Sequence, residues 1–476
     1  MKSNRNLIGS ALIAALGGLL FGFDTMVISG TTDALKELFH LTPFWLGFTV
    51  ASALIGTIVG SVAAGRPSDA FGRRAVLAAI AVLYFVSAIG CGLAWDWYSL
   101  LFFRFVGGVA IGGASVVSPM YIAEISPARS RGRLVAIQQF NIVLGCLLAF
   151  LSNYLIDLAN HVHLVNFGDN EWRWMFGVVA APAAIFFILL YFIPESPRWL
   201  VTKGRIEEAR RIFASLGSDT GDADAEVEAV RASLAVDHHR VEEPFFRRQY
   251  RKPILLAVAI AMFNQLSGVN ALWYYTPAIF RMAGAGPQAA MLLPVVLAAV
   301  NLVFTMLGLA LIDRFGRRKL MLVGSIGYIV SLASTAWAFY TYGGAFNAVM
   351  KAIEDNVQIP ADILATAGTG GIVVLISLVV FVMSHAFGQG TVIWVFISEI
   401  FPNRVRARGQ ALGSFTHWFM DAGITWTFPV IAAVSGGHAF AFYGAMMVLQ
   451  LLWVLWIMPE TKGVPLEQIQ KELGIE

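Results

Sequence analysis

Apolar runs alternate with short polar segments along the whole chain. A helix needs ~20 predominantly apolar residues to cross the hydrocarbon core of a bilayer. Twelve runs meet that length, near 7–30, 45–64, 75–94, 98–123, 134–156 and 173–193, then 253–280, 289–312, 319–342, 371–397, 408–434 and 439–458. A longer polar stretch, 194–252, separates the two sets of six, and within it EEARRIFASLG (207–217) has the pattern of a short amphipathic helix. The pattern predicts an all-α integral membrane protein with twelve transmembrane helices. Its parts are an N-terminal six-helix half (1–193), a cytoplasmic linker with surface helices (194–252), and a C-terminal six-helix half with a short tail (253–476).

Composition agrees with the pattern. Charged residues make up 13% of 476, against roughly 25% in soluble domains, so most of the surface faces something other than water. One soluble core of this size is excluded, because single cores stop growing near ~250–300 residues. Cys91 and Cys146 both lie inside apolar runs and read as small packing residues rather than a disulfide. Lys2 and Arg5 precede an apolar run that is too long for a signal peptide and contains Asp24, so an uncleaved first span is expected. The net charge of +3 gives no reason to expect nucleic acid. No nucleophile–base set, metal-ligand spacing or phosphate-binding glycine loop occurs in a plausible context. The expectation is therefore no enzyme, no metal and no cofactor.

Basic residues in short loops mark the cytoplasmic side. Arg66, Arg73 and Arg74 follow the second run, and Arg129, Arg131 and Arg133 follow the fourth. Arg314, Arg317, Arg318 and Lys319, then Arg404, Arg406 and Arg408, occupy the corresponding loops of the second half. The opposite loops carry mainly acids: Asp33, Glu37, Asp96, Asp169, Glu354, Asp355 and Asp362. Both termini are thus predicted to be cytoplasmic.

The chain also repeats itself. Asp69-Ala-Phe-Gly72-Arg73-Arg74 returns as Asp313-Arg-Phe-Gly316-Arg317-Arg318. Glu124-Ile-Ser-Pro127 with Arg131 returns as Glu399-Ile-Phe-Pro402 with Arg406. Pro194-Glu195-Ser196 closes the sixth run, and Pro459-Glu460-Thr461 closes the twelfth. Repeated halves are how many transporters build alternating access, with the site near the bilayer midplane.

Taken together, GRPSDAFGRR (65–74), PMYIAEISPARSRG (119–132), PESPRWL (194–200), NQLSGVNALWYY (264–275), DRFGRR (313–318), SEIFPNRVRARG (398–409) and PETKG (459–463) resemble the sugar porters of the major facilitator superfamily. That family includes bacterial proton/xylose symporters and animal glucose facilitators. The resemblance implies that Asp69, Arg73, Glu124 and Arg131, with Asp313, Arg317, Glu399 and Arg406, belong to a gating cluster on the cytoplasmic rim. A simpler role for these arginines, enforcing topology, stays open beside it.

A charge at the centre of a membrane helix costs ~2.5–3.5 kcal/mol on insertion scales and usually faces a cavity or a partner. Asp24 lies late in the first run, and Arg104 in the fourth is its obvious partner. In the proton-coupled sugar porters an aspartate and an arginine hold the matching positions, whereas the animal facilitators have asparagine at the first. Burial and a neighbouring guanidinium push a carboxyl group's proton affinity in opposite directions, so the pair suits a proton switch. A permanent structural salt bridge is the other reading.

Sugar pockets need amides, which donate and accept at once, and an aromatic wall. The resemblance assigns sugar contacts to Gln139, Gln265, Asn270, Tyr274, Asn301, Trp394 and Trp418, with Phe21 completing the wall and Tyr275 as a gate. A lone amide in a membrane helix is also a common interhelical hydrogen-bonding group. Several positions depart from the family. Asn264 stands where glutamine is usual, Cys146 replaces a glutamine, His417 stands where Gln or Asn is typical, and Asp421 replaces an asparagine. GQGTVIW (388–394) lacks the first proline of a hinge-like run. Asp421 either grips sugar hydroxyls, pairs with His417 or His385 as a second titrating group, or faces a wet cavity.

The function expected is proton-coupled uptake of a hexose or pentose, by a monomer, across a bacterial cytoplasmic membrane. Its partners are a monosaccharide, protons and the bilayer. A passive facilitator is the alternative, and a non-transporting sugar sensor a remote one.

Overall fold

A computed structural model describes residues 2–127, 130–216, 223–238, 244–402, 405–464 and 466–475, with only the backbone at a few helical positions, Asp313 among them. The described residues form helices and connecting turns, without strands. The first half comprises α1 (Lys2–Val27), α2 (Thr32–Leu38), α3 (Pro43–Ala63), α4 (Gly65–Phe71), α5 (Arg73–Gly92), α6 (Trp97–Ile125), α7 (Arg131–His161), α8 (Glu171–Gly177) and α9 (Ala180–Leu189). Three helices follow in the central stretch: α10 (Pro197–Thr202), α11 (Ile206–Leu216) and α12 (Ala223–His238). The second half comprises α13 (Arg251–Leu266), α14 (Val269–Met282), α15 (Pro287–Phe315), α16 (Arg317–Glu354), α17 (Ala361–Phe387), α18 (Gln389–Ile400), α19 (Arg406–Val434) and α20 (Gly436–Trp456), followed by α21 (Leu466–Leu473).

Among the described residues, eleven stretches are long and apolar enough to cross a membrane. The twelfth expected span is α19, which at 29 residues equals α6 in length. Its arginines, His417 and Asp421 dilute its apolar character. Two helices overrun the apolar pattern: α16 continues to Glu354 rather than stopping near 342, and α17 begins at Ala361 rather than near 371. TYGGAFNAVMKAIE contains no proline, and its two glycines weaken a helix without ending it, so the backbone continues after the apolar requirement has ended.

The chain gathers into two compact units. The first holds Met1–Val27, Ser52–Ser152 and Asn170–Glu242; the second holds Ile28–Ala51, Asn153–Asp169 and Glu243–Glu476. In the first, α3 and α6 meet through glycines four residues apart on each helix. A Cβ on Gly56, Gly60 or Gly112 would lie 2.2 Å from a carbonyl oxygen of the facing helix, and one on Gly108 1.9 Å. Small residues at this spacing let backbones touch where lipid supplies no hydrophobic drive. The surface helices α10–α12 share a small apolar cluster of Trp199, Leu200, Ala209, Phe213, Val227 and Val230, and Trp199 Nε1 donates to the carbonyl of Asp69 at 2.9 Å.

The three repeated motifs form one knot, built twice. Gly72 (φ 99°) and Gly316 (φ 90°) turn the chain before α5 and α16. Helix starts expose N–H groups and partial positive charge, which favour an anion. Glu195 supplies it for α5, accepting from the backbone N–H of Arg73 (2.9 Å), Arg74 (3.1 Å) and its own neighbour Ser196 (2.8 Å). Glu460 does the same for α16, accepting from Arg317 (3.0 Å), Arg318 (3.1 Å) and Thr461 (3.0 Å). The arginine side chains then reach a second glutamate: Arg73 pairs with Glu124 at 2.9 Å, and Arg317 with Glu399 at 2.7 Å. Ser196 and Thr461 hydroxyls donate to those same glutamates at 2.5 and 2.6 Å.

Two spans of the second unit are broken. Between α13 and α14 the chain turns at Ser267 and Gly268 (φ 79°). The hydroxyl of Ser267 donates to Asn264 O at 2.6 Å and accepts from Val269 N at 3.3 Å, so side-chain chemistry covers the break. Gly268 also faces the Tyr443 ring, which a Cβ would approach to 2.3 Å. Between α17 and α18 the break falls at Gly388 (ψ −100°), despite the missing proline, and Thr391 Oγ1 donates back to Ala386 O at 2.6 Å.

Alanine at Gly72 meets both an unfavourable φ and Glu195, whose Oε2 would lie 2.4 Å from the new Cβ. Alanine at Gly268 meets the Tyr443 ring as well as a positive φ, and strain of this kind costs ~1–3 kcal/mol. Thermal melting in detergent should therefore fall by several degrees for Gly72→Ala and Gly268→Ala. Gly132→Ala, where a Cβ meets nothing within 4 Å, should melt with the wild type. Equal melting of all three variants would show that these turns relax freely.

Candidate functional site

In the second unit, the break before α14 faces the middle of α19, and five of the predicted polar residues come together there. Asn270 Nδ2 donates to Asp421 Oδ2 at 2.7 Å and to Gln265 Oε1 at 3.3 Å. Gln265 Nε2 donates to Asn264 Oδ1 at 3.2 Å and lies 3.1 Å from both ring nitrogens of His417. Asp421 Oδ1 accepts from Thr425 Oγ1 at 3.1 Å. Asn264, Gln265 and Asp421 are buried, whereas Asn270 is half-buried. No lysine or arginine pairs with Asp421 among the described residues. Aromatic rings flank the cluster: Trp394 and Trp418 lie 5.2 and 4.9 Å from the His417 ring, centroid to centroid. The result is an amide-rich, aromatic-flanked polar patch at a helix break.

Around it stand the other predicted residues of this unit. Tyr274 is buried. Tyr275 sits at a kink in α14 (φ −116°, ψ 17°), stacks on Phe428 at 5.2 Å and donates to Thr425 O at 3.1 Å. It is thus tied to the same helix that carries Asp421. Asn301, on α15, accepts from Thr305 at 3.4 Å on its own helix. His385 meets the Tyr328 hydroxyl at 2.5 Å, away from Asp421's own partners. Near the first turn of α2, Asp33 forms an ion pair with Arg281 at the end of α14.

The first unit holds the buried charges. Asp24 and Arg104 side chains are 3% and 2% exposed, and the closest approach, Nη1 to Oδ2, is 3.8 Å. Nη1 donates instead to the backbone carbonyl of Asp24 at 3.3 Å. Asp24 Oδ2 and Arg104 Nε have no hydrogen-bond partner among the described residues, nor does the nearby Tyr84 hydroxyl. The guanidinium lies over the Phe176 ring, 5.5 Å from its centroid. The two side chains lie within ion-pair distance but share no hydrogen bond. Phe21 and Gln139 are half-buried in this unit. Gln138, which the motif pattern did not single out, is 6% exposed, and neither end of its amide has a partner among the described residues.

Of the rim residues, Arg73 bridges Asp69 (3.1 Å) and Glu124, and Arg317 bonds Glu399 twice, at 2.7 and 3.1 Å. Arg131 and Arg406 do not join these glutamates among the described residues. Arg406 donates to Phe401 O at 3.3 Å. Arg131 lies near Arg198, whose proton affinity is lowered by burial first and then by that like charge. The side chain of Asp313 falls outside the described residues. Glu195, Ser196, Glu460 and Thr461 were visible as a repeated motif without a role; the helix starts they cap supply it.

The profile of the family described as "Sugar (and other) transporter" matches residues 10–473. The D-xylose-proton symporter of Escherichia coli is 36% identical over 492 residues, covering 96% of this chain and 94% of that protein. The glucose transport protein of Synechocystis sp. and the arabinose-proton symporter of Bacillus subtilis are each 34% identical, covering 96% of this chain and 95% and 93% of theirs. Among solved structures, the inward-open conformation of the xylose transporter XylE from E. coli superposes with a TM-score of 0.82 at 34% identity, over 98% of this chain and 99% of that one. XylE bound to 6-bromo-6-deoxy-D-glucose gives 0.76 at 34% identity, over 99% of this chain and all of that one. With the helical architecture, the duplicated knots and these matches agreeing along nearly the whole length, the chain belongs to the sugar transporter family of the major facilitator superfamily: it is a multi-pass membrane transporter of sugars, not an enzyme.

Proposed function

We propose that this transporter carries a hexose or pentose into the cell together with a proton, across a bacterial cytoplasmic membrane. The observation that carries the proton is the long Asp24–Arg104 ion pair, which has no hydrogen bond between the two side chains. An ionised carboxylate in a dry helix bundle needs a countercharge and hydrogen bonds to every lone pair it exposes. Asp24 has a guanidinium 3.8 Å away and a carboxyl oxygen with no donor among the described residues. That geometry suits a neutral, protonated carboxyl. Closing the gap by about an ångström would suit the charged form, so a change of conformation at this pair can bind or release a proton. Relatives described as D-xylose-proton and arabinose-proton symporters favour this reading over passive facilitation.

The sugar is met at the patch that Asn264, Gln265, Asn270, His417 and Asp421 form together, with Trp394 and Trp418 beside it. Gln139, Tyr274, Asn301 and Phe21 contribute the remaining contacts. Tyr275 gates one end, and the rim residues Asp69, Arg73, Glu124, Arg131, Asp313, Arg317, Glu399 and Arg406 govern the other. The six-helix halves, 1–193 and 253–476, are the bodies that alternate access, with 194–252 and both termini in the cytoplasm. The working unit is the monomer.

A pH difference of one unit is worth ~1.4 kcal/mol per proton, or about tenfold accumulation. In proteoliposomes with an acidic exterior, the wild type should concentrate labelled D-xylose or D-glucose toward that limit, and an uncoupler should abolish the gradient. Asp24→Asn should accumulate none while still exchanging internal for external sugar. Undiminished accumulation by Asp24→Asn would remove the aspartate from the coupling step.

A further inference from the structure

The polar patch of the second unit has a direction, and one residue sets it. Both oxygens of Asp421 accept, Oδ2 from Asn270 and Oδ1 from Thr425, whereas an amide can present either its oxygen or its nitrogen. Asp421 is fully buried, and its Oδ2 lies 2.7 Å from the Asn270 side chain. The Asn270 amide must therefore turn its nitrogen toward Asp421. The second hydrogen on that nitrogen goes to Gln265 Oε1 at 3.3 Å. This in turn points the Gln265 nitrogen at Asn264 Oδ1 and the His417 ring. Each bond in the series fixes the sense of the next.

The consequence falls on Asn270, which is half-buried and carries the exposed end of the series. Both of its N–H groups are held by protein, by Asp421 and Gln265. Its Oδ1 has no donor among the described residues, so the group left for a ligand is an acceptor. With an asparagine at 421, as the resembling family has, both amides could turn together and the oxygen would no longer be obligatory.

We propose that Asp421 is a positioning residue that sets the donor–acceptor sense of the sugar site: it makes Asn270 present its carbonyl oxygen, so that the site requires a hydroxyl donor from the sugar at that point. The inference rests on the reading of this patch as the sugar site. Asp421 itself is 0% exposed and acts through Asn270, without touching the sugar.

Fluorine in place of a hydroxyl keeps size and polarity but removes the donor. Binding of D-glucose and D-xylose, and of the monodeoxyfluoro analogues of whichever binds, is measured on the purified full-length protein by calorimetry. In the wild type, one fluorinated position should bind about tenfold more weakly than the parent sugar, the loss of one buried hydrogen bond. In Asp421→Asn the amide is free to turn, and that penalty should shrink to about threefold or less while the other positions keep theirs. A merely structural role for Asp421 would weaken all analogues in proportion.

An unchanged fluorine profile in Asp421→Asn overturns the proposal, as does a wild-type profile that is flat at every position. If Asp421→Asn does not fold, Asn270→Ala decides. It should weaken the parent sugar and erase the penalty at the same position, and a penalty that survives there overturns the proposal. A wild type that binds neither parent sugar sinks the sugar reading first, and this inference with it.

Discussion

Lipid offers no hydrogen bonds, so every backbone polar group at membrane depth must find its partner within the protein. Most of this chain meets that demand by staying helical. In the second unit it departs from helix at Ser267–Gly268 and at Gly388, and each departure creates unpaired amides and carbonyls that other groups must satisfy. Ser267 covers the first break and Thr391 the second, and polar side chains collect where the helices part. Asn264, Gln265 and Asn270 flank one break, while Gln389, beside the other, donates to Gln450, which donates in turn to Ser325 at 2.8 Å. In the second unit, the polar patch proposed for the substrate gathers where the continuous helix is given up.

The two kinds of polar cluster differ in how completely they are satisfied. The knots around Glu195 and Glu460 are saturated: each carboxylate receives several N–H donors, and each arginine meets a second acid. Groups held this way resist separation. Asp24 and Arg104 are the opposite, two charges within 4 Å that leave an oxygen and a nitrogen without partners. Saturated networks hold a half rigid, and unsaturated pairs change state at small cost. Asp421 lies between these extremes: both its oxygens accept a hydrogen bond, yet only from neutral groups, and so it orders its neighbours without a countercharge.

Much of this was legible beforehand. The spans follow from apolar length, and the duplicated motifs mark where the knots stand. Helix ends beyond the bilayer were not legible, since α16 and α17 extend through sequence that contains glycine but no proline. Nor was the partner of Glu124, because Arg131, nearer in sequence, was as plausible an ally as Arg73. The grouping of Asn264, Gln265, Asn270, His417 and Asp421 was anticipated only as a set of residue types. Which amide faces which acid depends on bringing α14 against α19, across 151 residues of chain, and no local pattern carries that information. The break at Gly388 was obscured because the expected proline is absent, although glycine there serves the same end.

The Glu195 cap also imposes an order on biosynthesis. The start of α5 emerges with its first amides lacking their anion, because that anion lies 122 residues further along the chain. Until the ribosome has made the sixth span and the Pro-Glu-Ser that follows it, water and lipid headgroups must stand in. The same wait recurs for α16, whose partner Glu460 follows 143 residues later. Each half is therefore sealed by its own last-made turn, and the first can be sealed before the second has begun to enter the membrane.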